Sequence, residues 1–142
     1  MEEKTLGYLT HYLSISMQKA LNIEFRNAGL DIQLSQYVVL RYLTIHKDVS
    51  QLALAEALDK DASAIKRSID ILEKKGLVNR IAVTKRKNFL ELTQKAQEVM
   101  PVILKCTDST LRKVKKDISE GHYEIFLSTL CKMIENTKDY SA

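Results

Sequence analysis

Nine basic side chains lie between Lys60 and Lys87, namely Lys60, Lys66, Arg67, Lys74, Lys75, Arg80, Lys85, Arg86 and Lys87, against three acidic ones, a local balance of +6. The same balance is −2 from Met1 to Asp59 and zero from Asn88 to Ala142, so the whole net charge of +4 has its source in one stretch. Lysine and arginine gathered in this way can neutralise phosphates, displacing counterions from a polyanion. A charge run ordinarily means only a solvated face. Confinement to two adjacent elements argues for a phosphate-binding surface instead. Within the stretch, Ser63, Lys66 and Arg67 add groups able to address base edges, arginine above all through a bidentate pair with guanine.

Other chemistries find little support. His11, His46 and His122 are isolated and lack the spacing of metal ligands. Cys106 and Cys131 form neither a disulfide framework nor a close thiol pair. Each falls in an apolar helical stretch, where a cysteine is most often a small buried residue, although a thiol-based redox sensor is an alternative. A cysteine nucleophile would need a partnered histidine and an oxyanion site, and no such constellation is recognisable. With 4 glycines there is no glycine-rich phosphate loop. The expectation is no enzyme, no metal and no cofactor.

The elements that position the basic groups can be read from periodicity. Ser50 and Asp61 are predicted N-caps of two short helices separated at Leu58-Asp59-Lys60. Leu52, Ala55 and Leu58 are predicted to face inward from the first. Ala62, Ile65, Ile69 and Leu72 form the stripe of the second. Ser63, Lys66, Arg67 and Asp70 fall off that stripe, and Gly76 stands where a helix-terminating glycine belongs. Alternation then predicts strands from Leu77 to Val83 and from Phe89 to Thr93, joined by a basic tip, Thr84-Lys85-Arg86-Lys87-Asn88. The reading is a winged helix-turn-helix, mostly α with a small β-wing.

Around this lie longer helices. One is predicted from about Glu3 to Asn27, with Leu6, Leu9, Leu13, Met17, Ala20 and Ile23 on one face and Tyr8, Tyr12, Ile15 and Phe25 widening it. Another follows a predicted cap at Ser35 and ends near His46. Beyond Thr93 an apolar stripe continues from Ala96 to Ile118, with Pro101 predicted to kink or start a helix. A final helix is predicted from about Glu120 to Lys138. The terminal helices carry more apolar surface than one small module can cover, which points to a homodimer. No run reaches the ~20 apolar residues needed to span a bilayer, and the N-terminus lacks a signal-peptide pattern, so a soluble cytoplasmic protein is expected.

The order of these elements resembles the MarR (multiple antibiotic resistance regulator) family. The resemblance is carried by Leu34-Ser35-Gln36-Tyr37, Leu54-Ala55, Lys66-Arg67, Leu72-Glu73-x-Lys75-Gly76-Leu77-Val78, the basic wing running into Leu92-Thr93, and the flanking long helices. It implies a winged helix-turn-helix region over residues 30–93, flanked by dimerisation helices over 1–29 and 94–142. It also implies a transcriptional regulator, usually a repressor, binding double-stranded DNA at a pseudo-palindromic operator. On that reading Ser63, Lys66 and Arg67, with Asp61 and Ala62 at the helix start, face the major groove, and Arg86 is the wing arginine. Lys60, Lys85 and Lys87 serve phosphates, as does Ser50 at its helix start. The wing departs from the family pattern: Thr84 stands where an aspartate is common, and the wing is shorter. Related regulators take aromatic or phenolic anions between the dimerisation helices and the winged helix. Tyr8, His11, Tyr12, Tyr37, Tyr42 and Arg41 could line such a site, or simply pack. A winged helix that binds a protein partner without reading DNA sequence is a further alternative.

Overall fold

The structure, a computed structural model, describes residues 4–85 and 87–138. In chain order it contains α1 (Leu6–Asn27), α2 (Leu34–Ile45), β1 (Val49–Ser50), α3 (Gln51–Ala57), α4 (Ala62–Lys74), β2 (Val78–Thr84), β3 (Lys87–Leu92), α5 (Gln94–Val114) and α6 (Glu120–Lys138). Each short helix begins at a residue whose side chain can stand in for the missing turn. Ser50 Oγ accepts from the Ala53 amide at 3.1 Å. Asp61 Oδ1 accepts from Ser63 and Ala64 at 2.8 and 3.2 Å. Both predicted caps are therefore in place.

The predicted cap at Ser35 is not. Gln33 is the last extended residue, and α2 begins at Leu34, so Ser35 already lies inside the first turn. Gln33 and Gln36 close the helix start two residues earlier: the Gln33 carbonyl accepts from the Tyr37 amide at 2.9 Å, and Gln36 Oε1 accepts from the Gln33 amide at 3.4 Å. Helix α1 starts after Thr5, whose hydroxyl accepts from Tyr8. The predicted start at Glu3 lies outside the described residues.

Helices α1 and α4 end alike. The Leu30 amide donates to the Phe25 carbonyl at 2.8 Å across Gly29 (φ +74°), and the Leu77 amide donates to the Leu72 carbonyl at 2.9 Å across Gly76 (φ +74°). In both, a left-handed residue turns the chain out and the apolar residue after it packs back on the last turn. At Gly76 an added Cβ would meet only Lys95 Cδ, at 3.9 Å, so the obstacle to a side chain is conformational rather than steric. Gly76→Ala is expected to cost about 1 kcal/mol. Urea unfolding should show this as a lower midpoint with an unchanged slope.

The sheet has order β1-β3-β2, with Val78 opposite Leu92 and Thr84 opposite Lys87. Its third strand, β1, was not visible in the sequence because two residues carry no period. Val49 and Ser50 pair with Leu90 and Phe89 and close the root of the wing. Helix α5 runs through Pro101 without a break, so of the two outcomes foreseen there a new helix start is excluded.

The core joins every element up to α5. Phe25, Val39, Leu40, Leu54, Ile65, Ile69, Leu72, Val78 and Ile103 are its most enclosed side chains. Two predicted core positions are corrected. Leu52 is 65% exposed, because Leu54 and Ala55, not Leu52, take the inner face of the one-and-a-half-turn α3. Ala62 is exposed at the first turn of α4, and Ser68 joins Ile65, Ile69 and Leu72 on the buried side. Helix α6 has no buried residue at all.

Candidate nucleic-acid interface

Helix α4 is held from behind by its buried stripe and by α3, and this leaves a polar front. Ser63, Lys66, Arg67 and Asp70 are all exposed there. Among the described residues Arg67 has no ion-pair partner, nor do Lys60, Lys74 and Lys85. Lys66 Nζ sits 2.8 Å from Asp70 Oδ2, one turn further along the same helix. Both groups are well exposed, so this pair adds little stability and can be traded for a phosphate. Asp61, foreseen near the base edges, has its Oδ1 committed to two amides of its own helix and is a cap.

Two of the nine cations leave the footprint. Arg80 points back from β2 onto α4, with Nη2 2.6 Å from Asp70 Oδ1 and Nη1 2.8 Å from Glu73 Oε1. Lys66 first, and then Arg80, hold the Asp70 carboxyl below the usual aspartate range. Lys75, the other, reaches across to the loop between α1 and α2. Its Nζ donates to the Asp31 carbonyl and, at 3.0 Å, to Gln36 Oε1, a buried amide that needs a donor. Lys95 Nζ in turn donates to the Lys75 carbonyl at 2.9 Å, and Thr93 Oγ1 to the Gly76 carbonyl at 2.6 Å. The end of α4, the wing and the start of α5 are thereby tied together.

The wing is tighter than foreseen. Thr84, Lys87 and Asn88 belong to the ladder, with a register shift between Ala82 and Thr84, so three of the five residues foreseen at the tip lie in the strands. Arg86 itself lies outside the described residues. Lys87 Nζ stands 5.2 Å from the centroid of the Phe89 ring. The front of α4 and the basic ribbon beside it thus offer unpaired cations for phosphates and, in Arg67 and Ser63, donors and acceptors for base edges. Sequence reasoning found these but missed the Asp70, Glu73 and Arg80 cluster. Its signal was available, as two carboxylates three residues apart on the helix before a strand arginine.

The foreseen aromatic site is only partly assembled. A crevice of about 480 Å³ opens between α1, α2, α5 and α6, lined by Leu13, Met17, Leu21, Tyr37, Phe126 and Leu130 among others. Of the residues proposed to line a ligand site, only Tyr37 reaches it. Tyr8 and Tyr12 stack on each other, with centroids 5.9 Å apart, along an exposed side of α1. His11 and Arg41 are exposed, and Tyr42 stacks on His46 at 4.1 Å.

Cys106 is buried, its thiol 3.6 Å from the Glu24 carbonyl, and burial pushes its ionisation up, which lowers the thiolate fraction a redox sensor needs. Cys131 is exposed on α6. Among the described residues no three His, Cys, Asp or Glu side chains are grouped so as to hold a metal ion. Nor is any helix among them long and apolar enough to cross a membrane.

Comparison with known proteins adds to this geometry. Residues 32–85 match the model of the MarR family. The S. aureus MepR–DNA complex superposes with a TM-score of 0.85 at 24% identity, covering 94% of this chain and 98% of that one. A MarR transcriptional regulator from Methanosarcina mazei Go1 gives 0.85 at 21% identity, covering 99% and 94%. A protein described as a MarR family transcriptional regulator from Listeria monocytogenes, complexed with 26-mer DNA, gives 0.81 at 24%, covering 96% and 91%. These likenesses extend the shared fold from the matched stretch to nearly the whole chain.

Proposed function

We propose that this chain is a transcriptional regulator of the MarR family, whose model matches residues 32–85, and that it works as a homodimer that reads a two-fold symmetric operator, represses there, and is released by a small apolar or aromatic effector. The observation that carries the DNA reading is the polar front of α4, where Arg67 stands exposed and unpaired beside Ser63 and Lys66, next to a basic wing. Residues 30–93 form the DNA-binding part on this reading, and 1–29 with 94–142 the dimerisation part.

Affinity comes from Lys60, Lys66, Lys85, Arg86 and Lys87 at phosphates, which gives strong salt dependence and no base discrimination. Ser50 accepts from Ala53, and its own hydroxyl proton is available to a phosphate oxygen. Sequence reading falls to Arg67 and Ser63 in the major groove. A two-fold dimer sets its two α4 helices about 10 base pairs apart. The two DNA-bound relatives support this mode of use.

The effector site on this reading is the crevice beside Tyr37. Its walls come from both the long helices and α2, so an occupant there acts by favouring one spacing of the two α4 helices over another. Arg67→Ala should weaken specific binding by about 1–3 kcal/mol and relax the preference for its contacted base pair, while binding to unrelated duplex changes little. Competition binding on the variant checks this. Equal operator affinity in wild type and variant would remove Arg67 from the reading face.

A further inference from the structure

The wing has an anchor whose loss should be felt in DNA reading. Strand β2 is buried at Val78 and half-buried at Arg80, and every residue from Ile81 to Thr84 is exposed. Arg80 is therefore the residue of β2 that ties the strand by its side chain to α4, while beyond it β2 continues only in its ladder with β3. The attachment is polar and directional. One guanidinium, its side chain 20% exposed, donates from separate nitrogens to Asp70 and Glu73, three residues apart on one side of α4. A planar group held by two carboxylates in this way fixes an angle as well as a distance, which a lysine ammonium cannot do. Asp70 meanwhile divides its oxygens, Oδ1 to Arg80 and Oδ2 to Lys66.

We propose that Asp70 and Glu73 are positioning residues for DNA reading: through Arg80 they hold the wing and α4 as one DNA-facing unit, and through Lys66 Asp70 restrains a cation until a phosphate displaces it. This rests on the DNA-binding reading above and deepens it. The wing carries phosphate-binding charge and α4 carries the base-reading groups, so a fixed angle between them lets phosphate contacts set the register in which bases are read. When Lys66 moves to a phosphate, the whole carboxylate charge of Asp70 acts on Arg80, and the joint tightens as DNA is engaged. In free protein the same carboxylate lessens the pull of α4 on any passing phosphate, which works against non-specific binding.

The test has two arms. In DNA-free protein, amide hydrogen exchange is compared between wild type, the Asp70→Asn/Glu73→Gln variant and Arg80→Lys. Both variants should exchange about tenfold faster at the ordered amides of residues 81–84 and 87–89, through local opening, with α2 and α5 unchanged. Unchanged wing exchange would overturn the positioning role. In the second arm Asp70→Asn is titrated with operator and with unrelated duplex. Unrelated duplex should bind more tightly with a salt slope steeper by up to about one. The specific-to-non-specific ratio should fall about three- to tenfold. An unchanged ratio would overturn the role in reading. If wild type itself shows no sequence preference, the DNA-reading proposal fails, and the exchange arm still decides whether Asp70 and Glu73 hold the wing.

Discussion

Placing glutamates at Leu127 and Ile134 together is expected to split the protein into monomers and to lower operator affinity about 10²–10⁴-fold, the range lost when two linked binding sites become independent. The reason lies in α6. It buries none of its residues in the single chain, and Leu127 and Ile134, seven residues apart and so on one side, are 42% and 58% exposed. A helix of 19 residues has little intrinsic stability in water without packing on its apolar side. Helix α1 adds Leu6, Tyr12 and Ile23, each at least half exposed. Two carboxylates set into such a seam would have to be desolvated without partners, which an association of this kind does not tolerate. Sedimentation of the variant, paired with DNA titration, reads both consequences. A variant that remains dimeric would mean that α6 is covered by something other than a second copy.

Phe25→Ala is expected to lower the folding free energy by about 3–5 kcal/mol, the range for removing a fully enclosed aromatic ring. Phe25 is 1% exposed and lies against Tyr37 of α2, with ring centroids 6.0 Å apart. It is also the residue of α1 whose carbonyl accepts the Leu30 amide, so the ring sits where the first long helix turns into the winged helix. No neighbour can collapse into that space without shifting α1 against α2. Chemical unfolding at a fixed protein concentration measures the loss, since the apparent stability of the proposed dimer would vary with concentration. A loss below about 1 kcal/mol would mean that the joint repacks freely.

Much of this molecule could be read in its sequence because the informative features are local. Ser50, Asp61 and Gly76 are a cap, a cap and a left-handed terminator whatever surrounds them. The stripe at Ile65, Ile69 and Leu72 sets which side of α4 faces out, and with it the exposure of Ser63, Lys66 and Arg67. Features that depend on distant partners were not legible. Strand β1 exists only because Leu90 and Phe89 lie beside it. Lys75 resembles any helix-end lysine until the α1–α2 loop is folded against it. Arg80 counted as one more cation until the wing laid it on Asp70 and Glu73. Helical period placed Leu52 inward, but α3 is too short for period alone to choose a side. Composition marked Tyr8, Tyr12 and Tyr37 as alike, and the fold separates them, with only Tyr37 at the crevice.

The central claim, that the exposed front of α4 reads DNA sequence as one half of a symmetric pair, is tested most directly by selection from a random duplex pool. The selected site is then titrated at two salt concentrations. A two-fold symmetric sequence with half-sites about 10 base pairs apart should be enriched, and its affinity should fall steeply as salt rises. Salt-sensitive binding with no sequence enriched, or no binding at all, would contradict that claim.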